Sequence, residues 1–215
     1  MWNQSPKLLI LIALALLIPK AGSAQGVRQY PFLTLGINGG YFQPNGDWTA
    51  HRYAQGVNLF QGGPAVTGEF ELSYARVGIA LRAGYVNFST TEWEKYASAR
   101  GDEIQASASL FHVGVLLRPY LKTSEPDVIK LELGALYAIP SGEERFNNRR
   151  FEYDFLNSGF GFTGGVGYDH YFNRTTALTA QAAGLIVPNG VRYADGEQHA
   201  LRGLSLALGI RYKLP

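Results

Sequence analysis

The chain has no cysteine among its 215 residues, which removes disulfides, thiolate metal sites and a cysteine nucleophile together. It is also poor in charge, with Asp, Glu, Lys and Arg making up 17% of it. What charge there is nearly cancels, to a formal net of +2. No basic excess therefore points to nucleic acid. No stretch reaches the roughly 20 consecutive apolar residues of a membrane-spanning helix. The four histidines, His51, His112, His170 and His199, are scattered without metal-ligand spacing, so no metal and no organic cofactor is expected.

One apolar run does exist. Lys7 precedes an unbroken apolar segment from Leu8 to Ile18, and Ala21-Gly22-Ser23-Ala24 follows after Pro19-Lys20. A basic start, a short apolar core and a small-residue cleavage site define a secretory signal peptide. Residues 1–24 are read as that peptide and residues 25–215 as one β-barrel domain. Losing Lys7 and Lys20 from the 19 basic residues leaves 17 against 17 acidic ones.

Glycine and aromatics are abundant, with 26 Gly, 13 Tyr and 12 Phe. Their arrangement carries the fold. In residues 201–215, Leu204, Leu206, Leu208, Ile210, Tyr212 and Leu214 alternate strictly with Ser205, Ala207, Gly209, Arg211 and Lys213. Such alternation marks a strand with one apolar and one polar or small face. About 9–11 residues of tilted strand suffice to cross a bilayer. The same pattern recurs upstream and predicts strands over 32–42, 65–74, 77–88, 104–120, 128–139, 158–171 and 176–186. The intervening connections alternate in length: 43–64, 89–103, 140–155 and 187–199 are read as long loops, and the others are shorter. That asymmetry, with Tyr74, Tyr120, Tyr168, Tyr171 and Tyr212 near one rim and Tyr41, Tyr85, Phe88 and Tyr137 near the other, is expected of a membrane barrel with aromatic girdles.

Pairing Tyr74 with Val77 across a tight turn sets Glu69 opposite Arg82, both pointing away from the apolar face. Extending the polar face around the barrel brings Glu69, Glu71, Glu132 and Asp169 into one lumen with Arg82, Arg118, Lys130 and Arg211. These eight are expected to form a structural charge network, because an eight-stranded barrel has just enough interior for side chains to fill it and buried charges require partners. Gly159-Phe160-Gly161-Phe162-Thr163-Gly164 matches G-x-G-x-x-G literally, but no helix follows as a dinucleotide site requires. Those glycines are read as crowded inner-face positions.

The spacing Ala207-x-Gly209-x-x-Tyr212-x-Leu214 resembles the C-terminal signal that hands bacterial outer-membrane barrels to their assembly machinery. It departs from that signal in ending on Leu214-Pro215 rather than Phe. On these residues the whole mature chain resembles the small eight-stranded outer-membrane β-barrels of Gram-negative bacteria, the OmpA/OmpX-type and porin-like barrels. The resemblance implies an all-β, up-and-down antiparallel transmembrane barrel in the outer membrane. It also implies a monomer in contact with outer-membrane lipids and, during biogenesis, with the assembly machinery, and no catalytic motif.

Function is then expected to be non-enzymatic, in envelope structure or surface-loop binding and adhesion. Trp48, Trp93, Arg149, Arg150 and Tyr153, residue types enriched at binding hot spots, are candidate loop contacts for an extracellular ligand or protein. Two alternatives remain at this point. An outer-membrane lipid-modifying enzyme, of lipid A deacylase or acyltransferase type, would use Ser107 or Ser109 with His112, although His112 points to the other face. A soluble lipocalin-like barrel would instead bind its ligand in an apolar interior.

Overall fold

Every segment in which apolar residues alternate with small or polar ones forms a strand. A computed structural model describes residues 31–45, 60–74, 76–122, 126–147, 149–152, 156–192 and 198–214. The strands are β1 (Phe32–Asn45), β2 (Gly63–Ser73), β3 (Val77–Phe88), β4 (Ile104–Lys122), β5 (Asp127–Phe146), β6 (Arg149–Glu152), β7 (Gly159–Tyr171), β8 (Thr176–Arg192) and β9 (Gln198–Lys213). Among the described residues one helix, α1, spans Thr91–Ala99. All strand pairings among the described residues are antiparallel, and each barrel strand neighbours the next in the order β1-β2-β3-β4-β5-β7-β8-β9. The β1–β9 ladder closes the sheet, with Ile37 opposite Ile210 and Thr34 opposite Lys213. Eight strands make the barrel, and β6 is a short return on the upper end of β5, pairing Arg149 to Glu152 with Phe146 to Glu143.

The two faces separate as alternation requires. Leu204, Leu206, Leu208, Ile210 and Tyr212 point outward, as do Ile79, Leu81 and Tyr85 on β3 and Phe111, Val113 and Val115 on β4. An exposed apolar surface continued around a whole barrel is far larger than a soluble monomer leaves in water. It is the surface of a transmembrane barrel, and it sets aside the lipocalin-like alternative, whose apolar face would be internal.

Four expectations are corrected. Residues 89–103 are not all loop. Trp93 and Ala97, one helical turn apart, form a buried edge on α1, and Ala106 N–H and the Thr90 hydroxyl tie the helix to β4 through Glu94 Oε1 (2.9 Å) and Ala106 O (2.8 Å). Residues 140–155 are not one loop either, because β5 runs on to Phe146 and turns back as β6. Pro140 is tolerated there because the β7 ladder stops at Ala138, leaving β5 a single partner at a position where a missing N–H is harmless. Likewise β8 continues to Arg192 and β9 begins at Gln198, so most of 187–199 is strand.

The fourth correction concerns the girdles. Tyr120, Tyr171 and Phe88 turn inward. Each has the parity of an inward neighbour, namely Arg118, Asp169 and Val86.

The strand lengths decide how the barrel sits. Twenty residues of β5 give about 65 Å of chain at ~3.3 Å per residue and roughly 50 Å of height at a tilt near 40°, about twice the ~25 Å apolar band of a membrane barrel. The outward apolar row of β5 ends at Ile139, and Ser141, Glu143 and Arg145 follow. The upper parts of β4, β5, β8 and β9 therefore rise beyond the band as an uneven rim.

Candidate functional site

The interior divides into two tiers. In the lower one, carboxylates from β2, β5 and β7 meet cations from β3, β4, β5 and β9. Glu69 lies directly opposite Arg82 in the β2–β3 ladder, and Arg82 Nε donates to Glu69 Oε1 at 2.7 Å. Arg82 Nη2 reaches across to Glu132 Oε2 at 2.7 Å and to Gln181 Oε1 at 3.1 Å.

Arg118 is the hub. Its Nη2 lies 2.7 Å from Glu69 Oε2 and 2.8 Å from Glu132 Oε1, and its Nη1 pairs with Glu71. Arg211 joins Glu71 and stands 3.5 Å from Asp169. Lys130 Nζ donates to both Asp169 oxygens, at 2.9 and 2.8 Å. The Tyr120 hydroxyl donates to Glu71 and lies 2.8 Å from Ser73 Oγ.

All eight lumen residues expected from the sequence are thus buried in one connected network, four acids against four cations. Arg118, Lys130 and Glu132 have no solvent exposure at all. Small residues make room for these long side chains. At Gly167 an added Cβ would stand 2.6 Å from Lys130 Cε, in the path of the side chain that reaches Asp169.

The upper tier is apolar and was not anticipated. Phe42, Val86, Phe88, Leu110, Leu136, Ala138, Leu185, Val187 and Leu201 face inward above the charges and pack with Phe60 into one cluster. Phe88 meets Phe42 and Phe60 at ring distances of 5.9 Å. Trp93 and Ala97 of α1 join the same cluster, so the helix folds onto the inner side of the rim. There the Trp93 indole N–H donates to Glu144 Oε2 at 3.1 Å. Partial burial pushes the Glu144 carboxyl above its ordinary value, opposed by that hydrogen bond.

The candidate contact residues fare differently. Trp93 is buried, 7% exposed, and is corrected from a surface contact to a packing residue: as one edge of a short amphipathic helix it has an apolar wall to cover. Phe60 follows it. Arg149 and Arg150 are exposed on β6. Trp48 and Tyr153 lie outside the described residues.

The residues of the closing-strand signal take distinct places. Gly209 faces inward, where an added Cβ would overlap the Ile37 carbonyl oxygen. Tyr212 faces outward, and the Leu214 N–H donates to Leu33 O at 2.7 Å. Ser107 and Ser109 point outward, whereas His112 faces the lumen beside Gly84. No Ser–His pair forms between them.

No protein-family model and no curated protein sequence matches the chain. Solved structures do match. Neisserial surface protein A is 10% identical at a TM-score of 0.54, covering 85% of this chain and 97% of its own. Ail, the attachment invasion locus protein of Yersinia pestis, is 10% identical at 0.55, covering 86% and 99%. The outer membrane protein OprG of Pseudomonas aeruginosa is 13% identical at 0.51, covering 88% and 99%. The chain therefore has the fold of a small integral outer-membrane β-barrel, and its exterior apolar band is the surface that such a barrel turns to lipid.

Proposed function

We propose that the protein is a non-enzymatic outer-membrane barrel with a plugged lumen, serving as an envelope element that presents its rim to partners outside. The observation that carries this reading is the filled interior. Ion pairs in the lower tier and aromatic and aliphatic side chains in the upper tier leave Arg118, Lys130, Glu132, Phe60, Leu110 and Leu201 without exposure. Eight strands enclose little more than side-chain volume, which supports closure over conduction.

A role in surface contact is supported by the exposed Arg149 and Arg150 on a hairpin that stands above the apolar band. Two of the similar structures are described as a surface protein and an attachment invasion protein, and at 10% identity they lend this chain their fold alone. Against the lipid-modifying alternative stands the placement of Ser107 and Ser109 on the opposite face from His112.

Planar-bilayer recording tests the plug. The refolded protein should insert without stable single-channel currents. Reproducible open-pore conductance would overturn the reading. Incubation with radiolabelled lipid A tests the enzyme alternative, with no release or transfer of acyl chains expected.

A further inference from the structure

One corner of the rim is built differently from the rest. On the outer face of β3, β4 and β5, the lipid-facing row Tyr85, Phe111 and Ile139 gives way within one register step to Asn87, Ser109 and Ser141, which stand opposite one another across the three strands. Ser107 stands opposite Glu143 one step higher. None of the side chains of Asn87, Ser107, Ser109 or Ser141 has a hydrogen-bond partner among the described residues. With Tyr85 below and Arg150 at the side they line a pocket of ≈ 370 Å³.

Beside that pocket, Arg145 of β5 stands directly opposite Arg150 of β6. Like charges in directly opposed positions destabilise a ladder. Both guanidiniums turn to one carboxylate: Arg150 Nη2 pairs with Glu143 Oε2, and Arg145 Nη2 lies 4.0 Å from Glu143 Oε1. The side chains of Arg145 and Arg150 are 58% and 64% exposed. The register also sets Glu152 opposite Glu143, yet both guanidiniums stay more than half exposed beside a row of free hydroxyls, at the height where the apolar band ends.

We infer that this corner binds the phosphorylated sugar headgroup of an anionic glycolipid in the surrounding leaflet. Serine hydroxyls and the Asn87 amide match the donor and acceptor pattern of a sugar. A guanidinium takes a phosphate through two parallel hydrogen bonds, which gives the opposed arginines a purpose that packing does not. Tyr85, Phe111 and Ile139 lie directly beneath and receive the acyl chains. That continuity selects a membrane lipid over a soluble glycan. The inference rests on the membrane-barrel reading proposed above, which is tested separately by whether the folded chain stays monodisperse without detergent.

Native mass spectrometry of the folded full-length chain in detergent reads the site directly. The probes are bisphosphorylated hexa-acyl lipid A, the same lipid without phosphates, and soluble glucosamine 1-phosphate as competitor. Wild type should half-saturate at about tenfold lower concentration with the phosphorylated lipid, the scale of one charge-assisted contact. Arg145→Ala/Arg150→Ala should abolish that preference while still running as the folded, heat-modifiable band. Arg145→Lys/Arg150→Lys, which keeps the charge and loses the fork, should retain only part of it and serves as the readout if the alanine variant does not fold. Ser109→Ala/Ser141→Ala should weaken both lipids by about threefold, as loss of neutral hydrogen bonds does. Equal retention of the two lipids by wild type overturns the inference. So does a preference that survives in the alanine variant or is undiminished in the lysine variant, or equal competition by the soluble sugar phosphate.

Discussion

Replacing Arg118 with methionine is the sharpest probe of the lumen. The change keeps an unbranched side chain of comparable length and removes the guanidinium shared by Glu69, Glu71 and Glu132. Four carboxylates would then face Arg82, Lys130 and Arg211, with one negative charge uncompensated. Breaking a buried ion pair from one side costs about 3–5 kcal/mol, chiefly because the abandoned charge stays desolvated. Arg118 and Glu132 are wholly buried and Glu71 is 1% exposed, so the upper part of that range applies. Adding Glu71→Gln restores the balance and should recover ~1 kcal/mol or more, the scale of coupling between contacting groups. The assay is urea unfolding of vesicle-reconstituted protein followed by tryptophan fluorescence, with free energies from linear extrapolation. If Arg118→Met alone costs less than about 1 kcal/mol, the value of a solvent-exposed pair, the lumen is wet and the plug argument fails.

Arg82→Glu should lower the urea midpoint by setting a third carboxylate beside Glu69 and Glu132. The companion Glu69→Arg should recover only part of that loss, because it turns a guanidinium toward Arg118, now 2.7 Å from Glu69; complete rescue would mean that Arg118 is not engaged there. Gly167→Val should reduce the yield of folded, heat-modifiable protein, because its side chain occupies the path of Lys130, whereas Gly39→Val, outward with open space around its Cβ position, should fold normally. Docking of α1 should weaken as pH rises from the ordinary carboxyl range through the raised Glu144 value, because the folded state holds that proton more tightly than the unfolded one. Acrylamide quenching of Trp93 in a Trp48→Phe background should therefore increase over that interval, and Glu144→Gln should flatten the profile.

Much of this molecule is legible from parity alone. Once Glu69 and Arg82 share a face, every second residue of each strand is assigned, and the lumen charges follow without reference to a structure. The same rule carried two turns upward would have placed Leu110, Leu136, Val187 and Leu201 inside as well. They are hidden only because aliphatic residues on a barrel strand read as lipid-facing. Tyr120 and Tyr171 are a similar case: an aromatic near a strand end suggests a girdle, yet their parity points them inward. The helix is harder to see. Nine residues are too few for intrinsic helicity in water, and α1 exists because Trp93 and Ala97 find an apolar wall supplied by distant strands. The end of β5 is illegible for the opposite reason, since Pro140 signals a break that the local absence of a β7 partner makes unnecessary.

The network also has a consequence for how the barrel is made. Arg211 on β9 holds Glu71 on β2, a separation of 140 residues, and stands near Asp169 on β7. Until β9 docks, Glu71 and Asp169 lack one of their cations, and an unclosed sheet would present that excess negative charge to the inside of the forming barrel. Closing the seam therefore neutralises the lumen in the same event that satisfies the edge strands. Partly zipped forms are penalised twice, by open backbone and by unmatched charge. Assembly should consequently be close to all-or-none, with β9 acting as an electrostatic latch as well as a final stave.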